Sequence, residues 1–241
     1  MTRSPGHLKR ERTSLARPAA ALLACLFACS TSVPKATEPP GPTGSAPLID
    51  APCSPGAPPS LSAHHISFDK KCLSVSSGRP FALPFANRDR GVNHNVQILV
   101  GPRGYSTTPP ALFRGDIFPG VRTVNYQVGG LPAGLLQFEC VVHHDQMYGF
   151  FGVAPRVART NAGIQVVWSA PGRTPKGYVF DVFVKRPGAD NFAAWKTGAT
   201  TMGETLAVTD PGTYAFRITI YPADHSTPPL GFSPISTVTV S

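Results

Sequence analysis

Residues 138–149, FECVVHHDQMYG, bring a thiol, an imidazole and a thioether together on one short stretch of the chain. Cys140, His143 and Met147 follow the spacing CxxHxxxM. Apolar, strand-like segments flank this stretch on both sides, which predicts a loop between two β-strands. The loop therefore offers several metal-binding side chains at fixed positions.

A second imidazole, His94, lies far upstream, at the start of the predicted strand 96–100. Two imidazoles and a thiolate form the trigonal ligand set of a mononuclear type 1 (blue) copper centre, with a thioether as its weak axial ligand. Zinc is the competing metal, because one Cys and two His also bind Zn²⁺, but structural zinc sites commonly use more thiolates and do not use Met. The sequence therefore predicts one copper ion bound by His94, Cys140, His143 and Met147.

The rest of the chain has the composition of a β-protein. Charged residues make up 15% of its 241 residues, which include 27 Pro and 23 Gly, and no long apolar periodicity of 3.6 residues follows the N-terminus. Short apolar segments separated by Gly and Pro turns continue from Ala63 to Val153, and the pattern restarts at Gly163. A chain of this length is expected to form two domains. We therefore predict an all-β chain of two successive β-sandwiches.

Residues 85–96, residues 112–116 and the loop around Cys140 resemble bacterial cupredoxins of the plastocyanin and azurin family. The resemblance covers residues 63–155, the predicted copper domain. It implies a Greek-key sandwich with copper near one end, bound at the four positions named above. It also implies that Asn95, directly after the first His ligand, ties the two ligand-bearing segments together by hydrogen bonds.

His144 is a departure from this family, whose members often have Pro directly after the loop His. The departure leaves His144 as an alternative ligand, although His143 fits the CxxH spacing better. A dinuclear copper centre would need a second Cys four residues after Cys140, and His144 occupies that position. We therefore expect a mononuclear site.

The second predicted sandwich, residues 160–241, resembles a fibronectin type III domain of the immunoglobulin-like class. Trp168 matches its second-strand core position, and Tyr214 matches its tyrosine corner. Both motifs are less specific than the metal motif, since large aromatic side chains anchor many sandwiches. This half carries no ligand constellation, so we expect a spacer or a docking surface.

Residues 1–29 are predicted to be an export signal. Basic residues are followed by an apolar run at 18–28 that is too short to span a bilayer comfortably. The run ends in LFAC, which resembles the lipobox of bacterial lipoproteins and makes Cys29 the expected lipidation residue. Cys25, in LLAC, is the alternative anchor, and ordinary secretion without a lipid is another.

Residues 30–62 are rich in Pro, Ser, Gly and Ala and contain almost no large apolar side chains, which predicts a disordered tether. We therefore expect a bacterial protein outside the cytoplasm, held to the membrane by a lipid anchor or secreted. In such a compartment Cys53 and Cys72 could form a disulfide near the start of the first sandwich. The spacing leaves open whether Cys72 is instead a buried free thiol.

The net charge of +9 includes +4 from the first 17 residues, so the rest of the chain is only mildly basic. Because it has no Lys/Arg cluster or basic and aromatic stripe, we expect no nucleic-acid partner.

The metal motif is accompanied by no nucleophile–base pair, paired carboxylates or phosphate loop, and four protein ligands leave no open position on the metal. We therefore expect no enzymatic activity.

These features predict a monomeric electron carrier that passes electrons to a redox partner protein of unknown identity. Two other functions stay open on the sequence alone. One is delivery or storage of copper without a redox role. The other is adhesion or scaffolding, with a vestigial copper site.

Overall fold

The structure is a computed structural model that describes Cys53 and residues 58–103 and 109–241. Every helix or strand in these ranges is a β-strand, which confirms the predicted all-β fold. None of the described residues forms a helix long and apolar enough to cross a membrane. The N-terminal sandwich contains β1 (Leu61–Ala63), β2 (Cys72–Ser76), β3 (Phe81–Asn87), β4 (Asn93–His94), β5 (Gln97–Leu99), β6 (Ala111–Arg114), β7 (Phe118–Pro119), β8 (Arg122–Val128), β9 (Gly134–Glu139) and β10 (Tyr148–Ala154).

Two sheets form this first sandwich, with strand orders β1-β3-β8 and β2-β10-β9-β5-β6, while β4 pairs with β7 separately. β1 runs parallel to β3, and β2 runs parallel to β10. The chain therefore crosses from β1 to the other sheet at β2 and returns at β3, whereas β9 and β10 are neighbours in one sheet, a mixture of connections found in Greek-key sandwiches. Gln97, which begins β5, pairs with Glu139, which ends β9. The residues just before β5 and just after β9 consequently meet at one end of the sandwich.

Aromatic side chains fill the space between the two sheets. Along β3, Leu83 and Phe85 are fully buried and alternate with residues that face outward, as a period of two requires. Phe81 of β3 packs on Phe151 of β10, with ring centroids 5.9 Å apart. Each fully buried side chain of this kind contributes about 1.5–3 kcal/mol through removal of apolar surface from water. This core fixes the end of the sandwich on which the metal-binding residues lie.

The second sandwich has a three-stranded sheet, β11-β12-β15, and a four-stranded sheet, β14-β13-β16-β17. Trp168 and Tyr214 are fully buried in its core. The Trp168 indole nitrogen donates to the carbonyl of Thr201 at 2.6 Å, so its polar atom is satisfied. The strands are β11 (Arg156–Thr160), β12 (Gly163–Val167), β13 (Tyr178–Lys185), β14 (Ala193–Ala199), β15 (Gly203–Leu206), β16 (Gly212–Pro222) and β17 (Ser236–Val240).

The two sandwiches contact each other directly through hydrogen bonds and packing. The amide of Ala133 donates to the carbonyl of Trp168 at 2.7 Å, and the Ser77 hydroxyl donates to the carbonyl of Val167 at 2.8 Å. Gly134 has a φ of 143°, and a Cβ added there would lie 2.6 Å from a methyl group of Ile220. A glycine is therefore required where β9 approaches β16.

Three local features differ from the sequence-based expectation. The first strand begins at Leu61, two residues before the predicted start of the copper domain, and β11 begins at Arg156, four residues before the predicted start of the second half. Residues 64–66, at the start of the strand pattern predicted from Ala63, form an exposed turn. The predicted export signal, with Cys29, lies outside the described residues, as does most of the predicted tether.

Cys53 and Cys72 are joined by a disulfide, with their Cα atoms 5.3 Å apart. Cys72 opens β2, the edge strand beside β10, and Cys53 is buried against the same sheet. The sulfur of Cys53 lies 3.7 Å from the carbonyl oxygen of Phe150. The bond therefore attaches the segment that precedes β1 to the first sandwich.

Replacing both cysteines by Ser is expected to lower the free energy of unfolding by about 3 kcal/mol, because a cross-link across 19 residues restricts the unfolded chain. Chemical denaturation of the copper-free protein under non-oxidising and non-reducing conditions measures this change. A loss below about 0.5 kcal/mol would show that the bond does not constrain the unfolded chain, since that is the scatter of neutral surface substitutions.

Candidate metal centre

Three metal-binding side chains converge where β5 begins and β9 ends, at what we call the copper end of the first sandwich. His94 is the last residue of β4, Cys140 directly follows β9, and His143 lies in the loop before β10. His94 Nδ1 lies 3.7 Å from Cys140 Sγ and 3.2 Å from His143 Nδ1, and the His143 Nδ1 to Cys140 Sγ distance is 3.8 Å. In the described part of the chain, no other three His, Cys, Asp or Glu side chains are arranged to hold a metal.

The spacing of these three donor atoms fits a single metal ion between them. Ligand distances of about 2.0 Å to nitrogen and about 2.3 Å to sulfur, with trigonal to tetrahedral angles, separate the donors by about 3.3–3.8 Å. His94 and the free thiol of Cys140 are fully buried, so water does not compete for them. One thiolate and two imidazoles are the trigonal donors of a type 1 copper site. The residues present therefore fit copper.

The loop at residues 140–147 places His143, and not His144, at this cluster. The ring of His144 instead lies 2.8 Å from a carboxylate oxygen of Asp145. Two backbone hydrogen bonds close the loop: the Met147 amide donates to the His143 carbonyl at 2.8 Å, and the Cys140 amide donates to the Met147 carbonyl at 2.9 Å. The side chain of Met147 is fully buried. All three loop residues predicted as ligands are thus held in one compact turn.

Asn95 connects the segments that carry the ligands. Its carboxamide oxygen accepts a hydrogen bond from the Val141 amide at 2.9 Å, and its carboxamide nitrogen donates to the Gly115 carbonyl at 2.9 Å. Asn95 is fully buried; its bond to Gly115 is buried and its bond to Val141 is partly buried. Removal of the side chain would therefore leave the Gly115 carbonyl unpaired at a buried position. The residue after His94 is thereby tied to the residue after Cys140, in the arrangement that the family resemblance implied.

The far side of the His94 ring contacts a carboxylate that the sequence did not single out. His94 Nε2 lies 2.9 Å from an oxygen of Asp89, which is itself buried. A carboxylate accepts and cannot donate, so Nε2 carries the proton. In the neutral imidazole, the lone pair is then on Nδ1, which points toward Cys140 and His143. A carboxylate bonded to a ligand imidazole fixes its orientation and increases its basicity.

Asp89 is held in turn by an unusual backbone conformation. The amides of His65 and Ile66 donate to its two oxygens at 2.7 and 2.9 Å. Both residues have a positive φ, 52° and 53°, which is a genuine outlier for a β-branched residue such as Ile66. Such a conformation costs about 1–3 kcal/mol and persists only where its surroundings demand it. The turn therefore serves to aim two donors at the carboxylate that holds His94.

The pKa values of the groups around the cluster favour metal binding. Burial raises the pKa of Asp89, but hydrogen bonds from the Ile66 and His65 amides and from His94 outweigh it and lower the pKa to about 2. Burial, and then the nearby His94, lower the pKa of His143. Asp89 is therefore an anion and His143 a neutral imidazole at neutral pH, which are the forms that a metal site needs.

A second buried carboxylate lies directly before Cys140. Glu139 is fully buried, and the Arg103 Nε donates to its two oxygens at 2.8 and 3.0 Å. Gln137 donates to the same carboxylate at 3.0 Å. A buried charge with these partners is costly to displace, because moving it would leave an uncompensated ion. The end of β9, and with it Cys140, is therefore held by the bonds of Glu139 to Arg103 and Gln137 as well as by Asn95.

Comparisons with known proteins find similarity only among solved structures. No protein-family model matches the chain, and no curated protein matches its sequence. An auracyanin from Roseiflexus castenholzii is 18% identical over 40% of this chain and 95% of its own, with a TM-score of 0.35. Auracyanin A, a "blue" copper protein from Chloroflexus aurantiacus, is 19% identical over 39% of this chain and 96% of its own, with a TM-score of 0.34. A reduced Cu(I) form of an amicyanin variant is 18% identical over 40% of this chain and 81% of its own, with a TM-score of 0.29.

Asp89→Asn is expected to weaken Cu(II) binding by about 10–100-fold, because loss of the carboxylate lowers the basicity of His94. The reduction potential is expected to rise, since the negative charge stabilises Cu(II) more than Cu(I). Competition with a chelator and a redox titration measure the two effects.

The matched control for this variant is Asp116→Asn, which removes the same charge from an exposed residue. It is expected to bind copper as the unmodified protein does. Equal affinity and potential in both variants would contradict the role assigned to Asp89, provided that the copper-free Asp89→Asn protein unfolds cooperatively.

Asn95→Ala is expected to lower the free energy of unfolding of the copper-free protein by about 2–4 kcal/mol, because a buried carbonyl and a partly buried amide lose their partners. Asn93→Ala, at an exposed neighbouring position, is the control and should change it by less than about 0.5 kcal/mol. Chemical denaturation distinguishes the two, and equal values would show that Asn95 does not connect the segments.

Proposed function

We propose that this chain is an exported type 1 copper protein that transfers electrons. One observation carries the proposal: a buried thiol and two imidazoles, from segments 46 residues apart in the chain, point three donor atoms at one place. That combination of a soft and two borderline ligands suits both Cu(I) and Cu(II). Copper bound there would supply one-electron redox chemistry.

The surroundings of the ligands support electron transfer over copper delivery. His94 is held by Asp89, Cys140 is flanked by the Asn95 and Glu139 hydrogen bonds, and the loop is closed on itself. Ligands held from several sides move little when the charge on a metal changes, which favours rapid electron exchange. A donor protein needs the opposite property, since it must release its ion to a receiver.

His143 is the expected point at which electrons enter and leave. His94 and Cys140 are fully buried, whereas His143 is partly exposed. We take Met147, buried in the same loop, as the weak fourth ligand. With four protein ligands no position is left for a substrate, so the proposal does not include an enzymatic reaction.

The location that we propose is outside the cytoplasm, with the chain attached to the membrane through Cys29. The disulfide between Cys53 and Cys72 supports export, because such bonds form and persist in oxidising compartments. The residues of the predicted tether that precede Cys53 would then connect the lipid to the sandwiches, because Cys53 is bonded to the first sandwich. Cys25 stays the alternative anchor.

The second sandwich is proposed to be a fibronectin type III-like domain that acts as a spacer or a docking surface. Its sheets have three and four strands. The Tyr214 hydroxyl donates to the carbonyl of Asp210 at 3.0 Å, the backbone contact that defines a tyrosine corner. Neither feature involves a metal-binding side chain.

Copper-loaded protein is expected to show the intense visible absorption of a Cu(II)–thiolate bond, and to lose and regain it through repeated reduction and oxidation. Cys140→Ser should remove the band, since the thiolate is its source. Met147→Leu should keep the band and raise the reduction potential, because the axial ligand tunes the potential.

Loss of copper to a moderate chelator during these cycles would instead favour a delivery or storage function. A Cys140→Ser protein that kept every cellular function of the parent would favour a scaffold with a vestigial site. Retention of the ion through many cycles is the outcome that the electron carrier requires.

A further inference from the structure

We propose that the copper end docks a redox partner whose contact surface is acidic, and that three arginines around an apolar centre form the docking surface. The proposal rests on the electron-transfer function and names the kind of partner that it requires. We call Arg88, Arg90 and Arg122 the arginine rim.

The sheet register places the arginine rim beside the metal-binding residues. Arg122 opens β8 opposite Asn87, the residue before Arg88, and Arg90 forms a bridge with Gly120. The same two segments continue into the pair of β4 and β7, in which Phe118 lies opposite His94. All three arginines are exposed. The register therefore brings three exposed arginines into the segments that hold the first ligand.

The arginine rim keeps a net positive charge in the described part of the chain, although the anion Asp89 lies between two of its members and Asp116 is exposed directly before Ile117. None of the three forms an ion pair there. Asp89 lies between Arg88 and Arg90 in the sequence, but its oxygens are taken by His94 and two backbone amides. The guanidinium of Arg122 lies 5.5 Å from the Phe118 ring centroid and remains exposed at its other face.

Apolar side chains lie exposed in the same loops. Ile117 and Val121 flank β7 and are 49% and 66% exposed, and Val142, directly before His143, is 47% exposed. Large exposed apolar side chains close to charged ones are typical of protein contact sites. A partner that covers them would approach the partly exposed His143, which is the condition for electron transfer.

An acidic protein surface is the occupant that this combination favours. Arginine binds carboxylates through two parallel hydrogen bonds, and unpaired arginines at the rim of an interface speed association with an acidic partner. The apolar centre favours a protein partner, because a small anion would bury no apolar surface against it and would bind no more tightly. Brief contacts between redox proteins need only a small interface of this kind.

Charged small oxidants test the rim without knowledge of the partner. In the reaction, Cu(I) protein loses one electron and becomes Cu(II) protein, while hexacyanoferrate(III) gains that electron and becomes hexacyanoferrate(II). Stopped-flow absorption follows the second-order rate at several ionic strengths. Tris(phenanthroline)cobalt(III), which is a cation, is the oppositely charged oxidant.

The triple variant R88Q/R90Q/R122Q is expected to react about tenfold more slowly with the anionic oxidant at low ionic strength, and no more slowly with the cationic one. High salt should remove the difference, because it screens exposed charges. The control K176Q/R186Q removes exposed charges from the second sandwich and should react as the unmodified protein does.

Equal effects of both sets of substitutions would overturn the docking surface while leaving the copper function intact. Absence of any oxidation by either reagent would instead contradict the proposed function. Sedimentation with anionic phospholipid vesicles supplies the third outcome. Vesicle binding that depends on the arginine rim, without any change in the oxidation rates, would assign these residues to a membrane and overturn the proposal.

Discussion

The buried side chain of Asn95 is the contact on which the metal centre depends. It bonds to Val141 on one side and to Gly115 on the other, so three segments distant in sequence share one fixed position. The two sheets bring these segments to the same end of the sandwich. Strand pairing, however, does not fix the loops that follow the strands and carry the ligands. A single carboxamide limits the freedom of these loops, because one of its bonds is buried and the other is partly buried, so water replaces neither freely.

The electronic properties of the centre depend on the contacts behind the ligands. Asp89 selects the tautomer of His94 and places a negative charge beside it, and a turn with two left-handed residues supplies the donors that hold Asp89. Local strain in that turn is thereby coupled to the position of a ligand. At the surface, the arginine rim is positive and forms no ion pair within the described residues. In the proposed function, the buried carboxylate would tune the metal and the exposed arginines would meet a partner.

The sequence predicted those parts of the structure that depend on local spacing. Cys140 and His143 lie three residues apart, so their convergence needs only a turn, and alternation of apolar residues was sufficient to indicate sandwiches. The relation between His94 and this loop came from the ligand set of a type 1 copper site and from a family resemblance, because no local rule links residues so far apart. Asp89 was missed, since a carboxylate between two arginines is typical of a solvated turn. Its hydrogen bonds depend on the backbone conformation of Ile66, which lies in a turn that the apolar pattern from Ala63 onward does not predict.

X-ray absorption at the copper edge is the most direct test of the central claim, because it counts the atoms bound to the ion. Protein loaded with one copper ion should show one short sulfur neighbour and two imidazole nitrogens, and the sulfur should vanish in Cys140→Ser. A spectrum with nitrogen and oxygen neighbours alone would contradict the account, since it would place the ion away from Cys140.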